Sequence, residues 1–323
     1  MTTRRRFVAT TFASACAVAL PAHAQMGEKT VKFILPNAPG SGVDAITRAA
    51  QAALAKAFGH PVVIDNQAGA GGIVGLQALA RSAPDGMTLS VVSNNVVIFP
   101  SVFKTIPFDM PGDFTPIAVV GATPIVLVVN PQKVPAKDHK EFAALLKSKP
   151  DELTYGSGGN GTILHLTGEQ YVAEVGSKAR HIPYKGVGPF VTDLIGGQID
   201  FGTLALPSVQ QHIKSGALRA IGVGGAQRTP AAPDIPTIAE QGAPNYVVEA
   251  WFGVIGPKGM AAADVKRAHD AISAAFADAG VQEAMTKQGN TTSISTTEHA
   301  QKYFRSEMEK YAKLVKQAGI EPQ

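Results

Sequence analysis

Two loops hold the residue types that binding chemistry needs. The first, Pro36-Asn37-Ala38-Pro39-Gly40-Ser41-Gly42-Val43-Asp44, joins a β-branched run to an amphipathic one. Its glycines allow a tight turn and bring backbone N–H groups close to a ligand. A helix that follows presents unpaired N–H groups and the positive end of its dipole, for which a carboxylate is the natural guest. The loop backbone is therefore expected to bind the ligand, while Asp44 or Ser41 caps the helix. The second loop, Gly156-Ser157-Gly158-Gly159-Asn160-Gly161-Thr162, lies in the same strand-to-helix position. It spells the dinucleotide fingerprint G-x-G-x-x-G at Gly156, Gly158 and Gly161. The acidic residue that should end the next strand and hold a ribose is missing, because that strand reads His181-Ile182-Pro183-Tyr184-Lys185. The stretch from Gly69 to Gly75 is a near miss, with Val74 where the last Gly should stand. Dinucleotide binding is set aside, and no cofactor is expected.

Catalytic arrangements are absent from the sequence. It has no G-x-S-x-G and no H-E-x-x-H. His60, His139, His165, His181, His212, His269 and His299 include no i,i+4 pair to chelate a metal. His165 falls in the first turn of the helix opened by Thr162, where it either lines a cleft or orients the loop. Trp251 reads as core or lobe packing before ligand stacking. Neither a catalytic residue nor a metal site is expected.

The elements that must position these loops alternate. Val31–Pro36 reads as a strand, and Asp44–Phe58 as a helix with Ile46, Ala49, Ala50, Ala53, Leu54 and Ala57 on helical spacing. Strand Pro61–Asp65, helix Ile73–Ala83 and strand Met87–Ser93 complete a βαβαβ order, which implies parallel pairing. A second series runs from strand Ile125–Asn130 through helix Asp138–Ser148, strand Leu153–Gly156, helix Thr162–Val175 and strand His181–Tyr184. It continues through helix Pro189–Ile195, strand Ile199–Leu204, helix Pro207–Ser215 and strand Leu218–Val223. Pro and Gly crowd residues 224–244, as in a crossover, before strand Val247–Gly256 and two or three terminal helices. The pattern predicts two α/β lobes with a tail returning to the first.

Composition agrees with a folded, exported protein. The 323 residues are 45% hydrophobic and 17% charged, enough for a large core and unlike a disordered chain. A single Cys rules out a disulfide scaffold. Arg4, Arg5 and Arg6, the apolar stretch from Phe7 to Leu20, and Ala22-His23-Ala24 read as a signal peptide over residues 1–24. The arginines also fit a twin-arginine signal. Cys16 lacks the Leu expected three residues before a lipidated Cys. Removing 24 residues leaves 26 Lys and Arg against 25 Asp and Glu, so the formal +4 gives no support for nucleic-acid binding.

With these residues in view, the chain resembles the Bug family, extracytoplasmic solute receptors of tripartite tricarboxylate transporters. The likeness rests on ordered segments: Val31-Lys32-Phe33-Ile34-Leu35-Pro36, the first loop, Val62-Val63-Ile64-Asp65-Asn66 with Gly69-Ala70-Gly71-Gly72, and Ala83-Pro84-Asp85-Gly86. Next come Ser157-x-Gly159-x-Gly161-Thr162-x-x-His165-Leu166, His181-Ile182-Pro183-Tyr184-Lys185-Gly186, Gly196-Gly197-Gln198-Ile199-Asp200, Gly216-Ala217-Leu218-Arg219-Ala220, and the stretch from Pro233 to Gly242.

The resemblance implies a type II periplasmic binding protein, two α/β lobes joined by two crossovers with a ligand cleft between them. Lobe one would be 25–124 with 226–323, and lobe two 125–225. It implies a monomeric, periplasmic, non-enzymatic receptor that closes over a small carboxylate: a di- or tricarboxylate, an acidic amino acid or an aromatic carboxylate. The receptor would deliver it to membrane permease subunits, or signal to a sensor kinase. Carried over residue by residue, the ligand contacts are Asn37, Ala38, Gly40, Ser41, Gly42, Val43, Ser157, Gly159, Asn160, Gly161, Thr162 and His165. The strand ends Ser93, Thr203, Leu204 and Ala205 would meet the variable end of the ligand. Asn37 and Ser41 depart from the usual first-loop pattern and add hydrogen-bonding groups there.

Cleavage after Ala24 is expected to give a mature protein that begins at Gln25 and has no thiol. Intact mass and N-terminal sequencing of periplasmic protein check this; a lipid-modified or thiol-reactive mature form would contradict it.

Overall fold

The computed structural model describes residues 29–317 and 319–322. The expected signal peptide and its cleavage site lie outside the described residues. Val31–Leu35 (β1), Val62–Asn66 (β2) and Thr88–Ser93 (β3) pair in parallel, in the order β2-β1-β3. Between them run Gly42–Phe58 (α1) and Ile73–Ala80 (α2). Ser41, extended at φ −70° and ψ 162°, caps α1 through its side chain. Gly59 ends that helix in the left-handed conformation at φ 67°. Val43, Ile46, Ala50 and Leu54 form its buried stripe.

Residues 94–124, to which the sequence pattern assigns no element, form Asn95–Val102 (α3) and the first half of Phe114–Val129 (β4). Helix α3 escapes a periodicity reading because Val96, Val97, Ile98, Phe99 and Val102 are all buried, leaving no polar face. Strand β4 is longer than the Ile125–Asn130 segment expected. Pro116 and Gly121 interrupt its pattern, and its register against the partner strand shifts beside both. Gly121 has φ 153°, and a Cβ there would run into the carbonyl oxygen of Thr291.

Strand β4 belongs to both lobes. From Phe114 to Pro124 it pairs antiparallel with Glu249–Pro257 (β9), which also pairs with β3. From Ile125 onward it pairs antiparallel with Phe201–Ala205 (β7) and Arg219–Val223 (β8). Strand β7 then continues in parallel to Thr154–Ser157 (β5) and Arg180–Pro183 (β6). Helices His139–Ser148 (α4), Ile163–Val175 (α5), Val187–Ile195 (α6) and Leu206–Lys214 (α7) cover this second sheet. Thr162 caps α5, and Gly176 ends it at φ 68°. The architecture is two α/β lobes with a cleft between them.

The chain returns to the first lobe at Val248, whose N–H bonds Gly224 O while Gly224 N–H bonds Ile125 O. Residues 226–247, placed by the sequence with the first lobe, make hydrogen bonds to second-lobe elements. Thr237 bridges to Val223, Gln241 holds Ile221 O and His139 N–H, and Tyr246 donates to Thr167 O. The chain then adds β9, Ala262–Phe276 (α8), Ala279–Lys287 (α9), Thr291–Thr292 (β10, paired to β4) and Thr297–Gln317 (α10). Trp251 is buried against Tyr303 and Phe304 of α10, and its indole N–H donates to Glu307 at 2.8 Å.

Asn94 joins three of these elements where β3 meets α3. It is fully buried, accepts the Trp251 N–H at 2.9 Å and donates to the Tyr311 hydroxyl at 2.6 Å. Replacing it leaves buried polar groups unpaired, which costs far more than the bonds themselves contribute. Asn94→Ala is expected to lower the unfolding free energy by about 3 kcal/mol in urea titrations.

Candidate functional site

Parallel strands point their carboxyl ends the same way, so the helices that follow them start at one place. A cavity of about 650 Å³ sits there, between the lobes. Its wall takes the start of six helices: Ser41 before α1, Gly72 before α2, Asn95 opening α3, Thr162 before α5, Gly186 before α6 and Ala205 before α7. Each start carries partial positive charge and N–H groups with no partner inside the helix. Gly42 and Val43, the first two residues of α1, have N–H groups that find no acceptor among the described residues. No carboxylate lines the cavity among the described residues, and Lys185, exposed at the rim, is its one charged side chain.

The first loop is built around Asp44, a 4% exposed carboxylate that does not line the cavity. It accepts the Gly40 N–H at 2.9 Å, Arg48 Nε at 2.9 Å and Asn66 Nδ2 at 3.0 Å. Asn66 also holds Asn37 O at 3.1 Å, fastening the loop to the end of β2. The cap itself is Ser41, whose Oγ accepts the Asp44 N–H at 3.3 Å. Gly40, at φ 80°, turns the chain and gives its N–H to Asp44 rather than to the cavity.

The second loop is held from behind by side chains. Ser157, fully buried, donates to Gly159 O at 3.0 Å and accepts Gly159 N–H at 3.1 Å. His165 accepts the Gly161 N–H on Nδ1 at 3.2 Å, the loop-orienting alternative of the two read from sequence. Of the residues singled out in the sequence, Asn37, Ala38, Ser41, Gly42, Val43, Ser93, Gly159, Asn160, Thr162 and Ala205 line the cavity. Ser157, Gly161, His165, Thr203 and Leu204 are buried behind its wall, and Gly40 is exposed away from it. Thr203 bonds Thr167 at 2.7 Å beneath α5, and Leu204 points into the core.

Other wall residues carry no local signal. Phe252 and Ala250 of β9, Ile125 of β4 and Phe103 after α3 form an apolar side, beside which Thr123 of β4 also lines the cavity. The alternation of β9 puts Ala250 and Phe252 on the cavity face and Trp251 on the opposite one. The Ile182–Gly186 end of the β6 connection brings Tyr184 and Lys185 to the rim. Across the cleft, Asn95 Oδ1 accepts the Ile163 N–H at 2.9 Å, a direct bond between the lobes. A Cβ on Gly161 would strike Val102, so the second loop and α3 touch.

Residues 46–320 match the TctC family, described as tripartite tricarboxylate transporter family receptor. Protein BugT of Bordetella pertussis is 34% identical over 293 residues, covering 90% of each chain. The solved structure of the periplasmic binding protein BugD aligns with a TM-score of 0.84 at 30% identity, covering 91% of this chain and 99% of that one. Rpa4515 of R. palustris, solved with adipate, aligns with a TM-score of 0.86 at 27% identity, covering 91% and 98%.

Burial by itself raises the Asp44 carboxyl, but Arg48, the Gly40 N–H and Asn66 favour its ionised form and hold it below the usual carboxylate range. A pKa lowered in the fold stabilises above the unfolded value and ceases to do so as pH falls through the folded one. Asp44→Asn is expected to cost about 1–2 kcal/mol at neutral pH. In urea titrations at a series of pH values, the gap from wild type should close in acid.

Proposed function

The chain belongs to the tripartite tricarboxylate transporter receptor family, a family of periplasmic solute-binding receptors, and we propose that it binds a small carboxylate in the interlobe cleft. The observation that supports this is the six helix starts facing one cavity whose described wall carries no carboxylate. N–H groups and helix ends of this kind favour a compact anion in a site shielded from water. Ser41, Gly42, Val43, Gly159, Asn160 and Thr162 are the anion end, with Asn37 and Ala38 beside them. Ser93, Ala205 and the apolar side formed by Phe103, Ile125 and Phe252 hold the body of the ligand. Lys185 at the rim suits a second acidic group, in keeping with the adipate found with a relative at 27% identity.

The receptor does no chemistry on its ligand. Closure of lobe 125–247 on the remainder, about the two crossings at Pro124 and Val248, excludes water and strengthens each N–H to carboxylate bond. It also creates a surface that the open form lacks, by which membrane permease subunits select the loaded protein.

The backbone clamp has a direct test at Gly42. As the first residue of α1 it can become Pro without breaking an intrahelical bond, because Ser41 is already extended and a Cβ at 42 makes only ordinary contact with Phe252. Gly42→Pro deletes one N–H and should weaken carboxylate binding by about 1.5–3 kcal/mol, whereas Gly42→Ala keeps the N–H and should bind close to wild type. Calorimetry with adipate and related acids measures both. Equal binding of an acid and its amide would overturn the carboxylate reading.

A further inference from the structure

Behind the second loop lies a connected set of ionisable groups, none of which lines the cavity. Tyr155 from β5, His165 and Glu169 from α5, and His181 from β6 face one another. The Tyr155 hydroxyl donates to Glu169. His165 Nε2 stands 3.7 Å from Glu169 Oε1. The rings of His165 and His181 stack with centroids 3.8 Å apart and planes 10° from parallel. His181 Nε2 lies 2.7 Å from Ser157 Oγ, and the Tyr155 ring lies 5.0 Å from that of His181.

The Gly161 bond fixes which His165 nitrogen carries the proton. His165 Nδ1 accepts from Gly161 N–H and is therefore bare, so its proton sits on Nε2, facing Glu169. With the Ser157 hydroxyl hydrogen on Gly159 O, its oxygen accepts from Gly159 N–H and from His181 Nε2–H. Both imidazoles are neutral in this arrangement. Between them they set the direction of the Gly159 and Gly161 amides.

Acid attacks the arrangement at a defined atom. A proton added to His165 must go to Nδ1, where it meets the Gly161 N–H head-on and removes that bond. A proton added to His181 leaves the Ser157 bond in place but puts a cation face to face with His165. Burial, and then the neighbouring His165, push His181 down to about 4. Burial raises Glu169, but His165 and Tyr155 outweigh it and hold Glu169 below its ordinary value. A released loop, with these groups in water, takes up protons more readily, so falling pH favours release.

We propose that His165 and His181 are positioning residues for the second glycine loop: as neutral imidazoles they fix its backbone, and protonation frees it and weakens ligand binding. The inference rests on the carboxylate reading for its ligand, but its first readout needs none. Two substitutions keep the hydrogen bonds and remove the titration. His165→Asn places an amide oxygen where Nδ1 accepts, and His181→Gln an amide N–H where Nε2 donates.

The experiment follows hydrogen exchange at the Gly161 amide in the ligand-free mature protein, and adipate affinity by calorimetry, from about pH 7 to about pH 5. In the wild type, the protection factor and the affinity should each fall about tenfold across this range. In the double variant both should stay flat, with neutral-pH affinity within about threefold of wild type. The adipate's own protonation affects both proteins alike, so the difference between the two curves is the readout. If the double variant does not fold, His165→Asn and His181→Gln tested singly carry the comparison, each expected to flatten the curves in part because the other histidine still takes up a proton. Parallel curves for wild type and variant, in exchange or in affinity, overturn the proposal. If adipate and related acids fail to bind any form while Gly161 loses protection in acid only in the wild type, the carboxylate reading fails and the loop positioning stands.

Discussion

The first backbone N–H groups of a helix have no acceptor inside it, and the rest of this structure is arranged around where those groups go. Parallel strands in each lobe send their helices off from one edge, and the lobes turn these edges toward each other. The result is a cavity whose polar character comes from the main chain. Side chains of the two glycine loops mostly serve the backbone. Asp44 and Asn66 hold the first loop from below, and Ser157, His165 and His181 hold the second from behind. Keeping Asp44 off the cavity wall matters, because a carboxylate beside the helix starts would oppose the anion they favour.

Strand β4 makes two sheets into one binding device. Its first half is a neighbour of β9 and its second half a neighbour of β7 and β8, with the change at Pro124 and Ile125. Thr123 and Ile125, on either side of that change, both face the cavity. The floor of the cavity thus lies where the chain passes from one lobe to the other. Adjacent residues at the start of α3 divide the work. Asn94 locks β9 and α10 within the first lobe, and Asn95 reaches Ile163 in the second. The one ties elements within a lobe while the other bonds across the cleft.

Local interactions were legible in the sequence. Ser41 and Thr162 mark helix starts, Gly59 and Gly176 mark helix ends, and the apolar stripe of α1 follows its 3.6-residue period. The two glycine loops were identifiable as capped strand-to-helix turns because a turn, a cap and a following helix all lie within a few residues. The βαβαβ order fixed the parallel pairing of β1, β2 and β3 for the same reason. Where a segment is apolar on all sides, as α3 is, or broken by Pro and Gly, as the first half of β4 is, the periodic signal disappears.

The tertiary structure alone decided which residues face the cavity. Ser93 stands beside Phe252 and Thr123 beside Ala250 through strand pairings that span more than a hundred residues of chain. A one-residue change of register would have put Trp251 in the cavity and Phe252 in the core. The direction of His165 was likewise undetermined by its position in the first turn of α5. It depends on His181 and Tyr155 packing behind it, which turn its ring so that Nδ1 meets the Gly161 amide. Helix starts and turns arise from forces acting over about four residues, so the sequence carries them. The wall of a cleft between two lobes arises from long-range pairing, and only the folded chain contains that.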